Sequence, residues 1–368
     1  MKIICTQENL QKGLSIVSQT AKKNTTLPIL SNVLISCEEG KIKLSTTNLE
    51  IGTIVFIRGK IEKEGKITVP AHLIYHYISN LPQTNVLLES ENNVLSLECE
   101  NFKASIKSLD PAEFPLIPKI EKEPLSKIKT EDLRKALSGV VFAAAPDEIR
   151  PEIAGVYFKI GKDGIRLAAT DSYRLAERII KNNYQIKQEY AFIVPKATMT
   201  ELLRILSKNL ESEVLVFASE NQIKFKIGEV EFISRLIDGQ YPDYLKIIPE
   251  HFSTKFKVKA NEFATALHSA SLFSKVDGNE AEIEVLPKKG ELNIYSESGQ
   301  VGKNIAVLQG QGEGKDEKII FNYQYVLEGL QAADSEEINL LFSGDIGPVQ
   351  LKPEGNQNYT YIIMPIKK

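Results

Sequence analysis

The chain holds 368 residues, 42% of them hydrophobic and 25% charged, enough for two or three domains that each bury a core. Its formal charge of -3 excludes a protein that coats nucleic acid by bulk attraction, because counterion release needs clustered lysine and arginine; such a partner would have to meet locally segregated charge. No apolar run nears the roughly 20 residues of a membrane helix, and residues 1–8 turn polar before a signal-peptide core could form, so a cytoplasmic protein without a membrane span is expected.

The first predicted helix opens near Glu8 and sets Leu10, Leu14, Val17 and Ala21 on one face, with polar residues such as Lys12 between them. A β-rich run at 66–70 leads through Pro70 into a second helix over 72–81, and alternation over 94–98 marks a strand. The string Asp110-Pro111-Ala112-Glu113-Phe114-Pro115 closes this third. Near Glu131 the pattern restarts: Leu133, Leu137, Val140 and Ala144 repeat the first helix's spacing, interleaved with Arg134 and Lys135. Residues 191–195 lead through Pro195 into a helix over 198–206, followed by a strand at 223–227 and the closing string Asp238-Gly239-Gln240-Tyr241-Pro242. The last third sets Phe263, Leu267 and Ala270 on a helix near Glu262, then shows a β-rich run at 318–322, a helix over 325–332 and a strand at 338–342.

One order of elements passed through three times, at a period of about 120 residues, reads as three tandem copies of an α+β domain, each with two amphipathic helices backed by antiparallel strands. The closing strings place the domains at 1–120, 121–246 and 247–368.

Catalytic chemistry is not signalled. His72 and His76 stand four apart on a predicted helix, but no Glu completes a zincin pattern and no third ligand is apparent, so no metal is expected; His251 and His268 are isolated. No G-x-S-x-G elbow, P-loop or G-x-G-x-x-G fingerprint occurs, so no cofactor is expected, and Asp171 beside Ser172 has no His near in sequence and reads as structural. Cys5, Cys37 and Cys99 are odd in number and widely spaced, which fits neither a disulfide framework nor a zinc motif and predicts reduced packing residues.

Five strings carry a resemblance: Ala169-Thr170-Asp171-Ser172-Tyr173-Arg174-Leu175-Ala176, Arg235-Leu236-Ile237-Asp238-Gly239-Gln240-Tyr241-Pro242-Asp243-Tyr244, Tyr361-Ile362-Ile363-Met364-Pro365-Ile366, Thr26-Leu27-Pro28-Ile29-Leu30 and Arg150-Pro151-Glu152-Ile153-Ala154-Gly155-Val156. They closely resemble the bacterial sliding-clamp family, the β subunits of DNA polymerase III, over the whole length of the chain. The resemblance implies a non-catalytic DNA polymerase processivity factor built from three DNA-clamp domains of the processivity fold, with helices lining an inner face and antiparallel sheets outside. It also implies a homodimer joined head to tail, first domain to third, whose ring encircles double-stranded DNA and slides along it. Twelve inner helices spaced 8–10 Å apart give a bore ~35 Å across, room for a duplex roughly 20 Å wide and for water.

Only nonspecific phosphate attraction is then needed. Lys12, Lys22, Lys23, Arg134, Lys135, Arg150, Lys196 and Arg204, on the predicted helices or the loops beside them, are the candidates to face DNA, with ordinary solvated charge as the competing reading. The family's pocket between the middle and third domains captures short linear peptides from DNA polymerases, the clamp loader and repair proteins. Matching positions in the middle domain are Ile153, Thr170, Ser172, Tyr173, Arg174 and Leu175, with Pro242, Lys246 and Ile247 from the turn that closes it. The third domain matches at Asn322, Tyr325, Ile346, Pro348, Ile362, Ile363, Met364, Pro365 and Ile366. Such a set makes an apolar slot in which Arg174 and Asn322 can hold a peptide's amides and Met364 adapts to several partners. The chain departs from the family at its Lys367-Lys368 end and in the loop at 296–304, which bears on partner preference. A repeat-built protein-binding adaptor that never encircles DNA is the alternative.

Overall fold

Every predicted helix forms, and each begins at the residue after a strand ends. The structure, a computed structural model, describes residues 1–21, 26–147, 149–181, 188–208, 211–274, 279–299, 301–344 and 346–366. The helices are α1 (Gln7–Val17), α2 (Ala71–Ser79), α3 (Thr130–Ser138), α4 (Lys196–Lys208), α5 (Ala260–Ser271) and α6 (Tyr323–Ala333). They follow the strands Lys2–Thr6, Gly65–Pro70, Ser126–Lys129, Tyr190–Pro195, Thr254–Lys259 and Glu317–Asn322 in turn. The junctions have local causes. Thr6 starts α1 by accepting from the Asn9 N–H at 3.3 Å, and Asn322 starts α6 by accepting from the Gln324 N–H at 3.0 Å. Pro70 sits at the N-cap of α2, one place before the first helical position, and still pairs with Asn32 as the last residue of its strand.

Two expectations about helix length are corrected. α1 ends at Val17, so buried Ala21 lies past the helix. α3 ends at Ser138, and Gly139 follows; serine and glycine are weak helix formers, and the chain tightens into a 3-10 turn over Val141–Ala143. Val140 and Ala144 are buried as predicted, but from that turn rather than from the helix.

The chain divides into two compact units. Unit 1 comprises Met1–Glu131 and Glu201–Leu236. It holds a five-stranded antiparallel sheet, which ends on Phe102–Lys107, and an eight-stranded one. In the larger sheet the strand Val230–Arg235 of the middle repeat pairs with Ile51–Ile57 of the first, placing Phe232 opposite Thr53. α1 lies close on this sheet because Gly13 has no Cβ; one would come within 2.8 Å of the Ile57 and Leu44 side chains. The Thr46 hydroxyl donates to the Val17 carbonyl at 2.8 Å, and Gln7 Nε2 donates to the Ile78 carbonyl at 2.8 Å, tying α1 to the sheet and to α2. Leu10, Leu14 and Val17 of α1 and Ala71, Ile74 and Ile78 of α2 fill the core beneath.

Unit 2 comprises Asp132–Thr200 and Ile237–Lys368. Its nine-stranded antiparallel sheet joins the middle and third repeats through Arg174–Ile180 against Tyr359–Ile363, with Leu175 opposite Ile362. Its four-stranded sheet ends on Gly302–Gln309. α5 buries Phe263, Leu267 and Ala270, and Ser296 donates to the Ala270 carbonyl at 2.8 Å. α6 lies against Tyr361, whose hydroxyl donates to the Tyr325 carbonyl at 2.8 Å, and Gly329 leaves the room that ring occupies. Period-two alternation identifies a strand but not its neighbour, so the sequence showed strands in each repeat without showing that repeats share sheets.

The three cysteines are buried and unpaired, as predicted. Burial pushes the Cys5 thiol up to about 12. Among the described residues no helix is long and apolar enough to cross a membrane.

Candidate functional site

The candidate pocket residues all lie in unit 2, and several of them meet at one turn, Thr170 to Arg174. It is held from within. Asp171 Oδ1 accepts from the N–H groups of Tyr173 and Arg174, each at 3.0 Å, the arrangement by which Asp fixes a tight turn. The Thr170 hydroxyl donates to the Arg174 carbonyl at 2.6 Å and accepts from the Ser172 N–H at 3.1 Å. Ser172 takes a left-handed φ of 77°, and Tyr173 projects outward, 65% exposed. Asp171 is thus structural, as its isolation from any His implied.

Arg174 has a different place from the one expected. Its Nε donates to Asp171 Oδ2 at 2.8 Å, its Nη2 donates to the Phe142 carbonyl at 3.0 Å, and its Nη1 pairs with Glu328 of α6. The guanidinium stacks 4.2 Å from the centre of the Tyr325 ring. Its side chain is 9% exposed. Burial alone would lower its pKa, but Tyr361 with the carboxylates of Glu328 and Asp171 outweighs that, and the net shift is upward. Arg174 therefore ties the turn to α6, with each of its three nitrogens already donating within the chain. Asn322 is also engaged, since its Oδ1 caps α6. Sequence reasoning missed Phe142 and Glu328, because neither is near Arg174 in the chain; a lone Glu on a predicted helix reads as solvated charge.

The remaining candidate wall residues fall into two groups. Leu175 and Ile362 are buried together with Ala168, Ile193, Tyr241 and Tyr244, and Ile153, Thr170 and Ile363 are also buried. Tyr173, Ile247 and Ile346 are exposed, and Pro242, Tyr325, Pro348, Met364, Pro365 and Ile366 are half-buried. The C-terminal segment is stitched down at both ends: the Met364 N–H donates to the Tyr173 carbonyl and the Ile366 N–H to the Ile320 carbonyl, each at 2.8 Å. Pro348 precedes Val349, which pairs with Ile363, and the Tyr244 N–H donates to the Pro242 carbonyl at 2.8 Å, so both loops border the same strand cluster. Lys246 points outward and pairs with Asp243 at 3.0 Å.

The basic set separates on inspection. Arg204 donates to the carbonyls of Ser15 at 3.3 Å and Ile16 at 2.9 Å in the last turn of α1 and pairs with Glu201, which makes it a cap for that helix within unit 1. Lys196 donates to the Ala144 carbonyl at 2.7 Å, and burial, with the nearby Arg174 cation, lowers its pKa. Neither behaves as a free surface cation. Lys12 and Lys135 are exposed, Lys12 with a loose 3.8 Å contact to Glu8, and Arg134 is half-buried. Arg150 is half exposed and donates to the Ser172 hydroxyl at 2.9 Å. Lys22, Lys23, Lys367 and Lys368 lie outside the described residues.

Sequence models of the DNA polymerase III beta subunit match the chain three times: the N-terminal domain at 1–118, the central domain at 127–243 and the C-terminal domain at 245–367. A beta sliding clamp of Staphylococcus aureus is 30% identical over 353 residues, covering 93% of this chain and 93% of the relative. The chain belongs to the DNA polymerase III beta subunit family. The beta sliding clamp of Synechococcus elongatus is 28% identical over 372 residues, covering 100% of this chain and 99% of the relative. Among solved structures, the DNA polymerase sliding clamp of Bacillus subtilis superposes with a TM-score of 0.95 at 28% identity, covering 100% of this chain and 99% of that one. The beta subunit of Thermotoga maritima superposes with a TM-score of 0.93 at 27% identity and the same coverage. By family the chain is three tandem clamp domains and a non-catalytic processivity factor for DNA replication.

Proposed function

We propose that two copies of this chain close head to tail into a ring around double-stranded DNA, and that the ring tethers polymerases, the clamp loader and repair proteins through short linear peptides. The observation that carries the ring is a pair of open sheet edges. In unit 1 the five-stranded sheet ends on Phe102–Lys107, with Phe102 exposed. In unit 2 the four-stranded sheet ends on Gly302–Gln309, beside which Val301 is 62% exposed and on which Ile305 and Val307 are each 55% exposed. Uncovered sheet edges that expose apolar side chains invite uncontrolled pairing unless a defined strand covers them. Both edges carry charge as well as apolar side chains: Lys103, paired with Glu98, and Lys107 on the first, and Lys303 on the second, beside which Glu282 and Glu297 line a hollow. Two such seams between two chains close a twofold ring.

Peptide capture is supported by the buried apolar floor under Leu175 and Ile362 and by exposed Tyr173 and half-buried Met364 above it, an apolar slot with a few placed polar groups. Domains at 1–120, 121–246 and 247–368 and a cytoplasmic location complete the reading. Lys12, Arg134 and Lys135 are its nonspecific phosphate contacts, while Lys196 and Arg204 serve the fold. The test is retention on nicked circular DNA against the same DNA linearised, after loading by a clamp loader and washing in salt. Survival on circles with loss from linear ends is the expected result; equal loss from both would leave a protein-binding adaptor.

A further inference from the structure

We infer that Arg150 is a positioning residue of the peptide site, acting through Ser172. The assignment rests on reading the Thr170 to Arg174 turn as one wall of that site. Ser172 has a left-handed φ of 77°, a conformation that L-residues other than glycine adopt at a cost. Something must hold it there. The hydrogen bonds inside the turn fix Thr170, Asp171, Tyr173 and Arg174 and give Ser172 one backbone bond, to Thr170 Oγ1, so that its side chain is left to a partner outside the turn. From outside the turn, Arg150 Nη1 donates to Ser172 Oγ at 2.9 Å, while its Nε stays 3.3 Å from Glu152. A charge-assisted donor, oriented by its own carboxylate partner, thus acts on the strained tip from outside the turn.

The tip matters for both walls of the site. Tyr173, the next residue, is the exposed ring on one side, and its carbonyl receives the Met364 N–H that anchors the C-terminal segment on the other. If Ser172 relaxes toward negative φ, the Tyr173 carbonyl turns away from Met364 and the slot loses its shape. Arg150 thus sets the slot without touching a bound peptide.

The full chain is titrated against a fluorescein-labelled polymerase tail peptide as wild type, Arg150→Met, Ser172→Gly and the double variant. Methionine keeps the bulk of arginine and removes its donors, whereas glycine accepts positive φ without a strap. Arg150→Met should bind about fivefold more weakly than wild type; on the Ser172→Gly background the same change at Arg150 should have no effect, so that the double variant binds as Ser172→Gly does, all with unchanged melting temperatures. That loss of effect is the telling readout, since a residue that contacts the peptide directly would weaken binding about as much on either background. Wild-type affinity in Arg150→Met, or a double variant about fivefold weaker than Ser172→Gly, would overturn the assignment. Failure of the wild-type chain itself to bind the peptide would instead remove the reading of the turn as a peptide site, and the assignment with it.

Discussion

Cys5 shows how far one buried side chain reaches. Its thiol ionises near 9 in ordinary surroundings and at about 12 when folded, because the core offers a thiolate no solvation. Below pH 9 both folded and unfolded chains keep the proton, and the thiol gives stability no slope. Between 9 and 12 the unfolded chain releases a proton that the folded chain retains, so stability falls as pH rises, by at most about 4 kcal/mol from this group. Buried Tyr241, Tyr244, Tyr359 and Tyr361 are also pushed up and steepen the same alkaline loss. Urea midpoints measured from pH 7 to 11 should therefore fall more steeply for the wild type than for Cys5→Ala; parallel curves would mean that the thiol is solvated when folded. At this scale the sequence was legible for apolar residues and much less so for charged ones. Leu10, Leu14 and Leu133 announced their burial by periodicity, but nothing in spacing distinguishes Arg204, which caps α1, from Lys12, which stands in solvent. A cation's role depends on which acceptor folding brings to it, and the Ser15 and Ile16 carbonyls lie far from Arg204 in the chain.

At the scale of the element, α6 sets two effects against each other. Gly329 weakens the helix by about 1 kcal/mol relative to alanine. Yet an alanine Cβ would clash with the edge of the Tyr361 ring, which is fully buried and pinned by its hydroxyl to the Tyr325 carbonyl. Overpacking of this kind costs about 1–3 kcal/mol and should win. Gly329→Ala is expected to lower the urea midpoint despite its better helix propensity; a rise would place α6 farther from the strand Tyr359–Ile363 than described. The helices themselves were readable because each has an apolar stripe and several carry a recognisable start, such as Thr6 before α1. Their ends were less so. The spacing Leu133, Leu137, Val140 persists past Ser138, where α3 has already stopped, because a following 3-10 turn can bury residues at nearly the same interval.

For the whole molecule, the open edge at Gly302–Gln309 is where assembly can be tested without disturbing either core. Replacing Ile305 and Val307 together by Lys puts two charges on side chains that are already more than half exposed, so folding should survive while pairing fails. Sedimentation equilibrium should then report a monomer, retention on circular DNA should disappear, and the polymerase tail peptide should still bind; a dimer of undiminished stability would move the seam elsewhere. The threefold repeat was visible in the sequence because each copy keeps its own apolar register, whereas the sharing of sheets was not, since a strand's pattern records its faces and not its neighbours. That sharing has a genetic consequence. The strand Ile51–Ile57 of the first repeat is bonded along its length to Val230–Arg235 of the second, and Arg174–Ile180 of the second to Tyr359–Ile363 of the third. A gene fragment coding for any one repeat would yield a protein with a raw, unpaired backbone where its neighbour had been. The copies are thus free to drift apart one side chain at a time, but none can be deleted, transplanted or inherited alone.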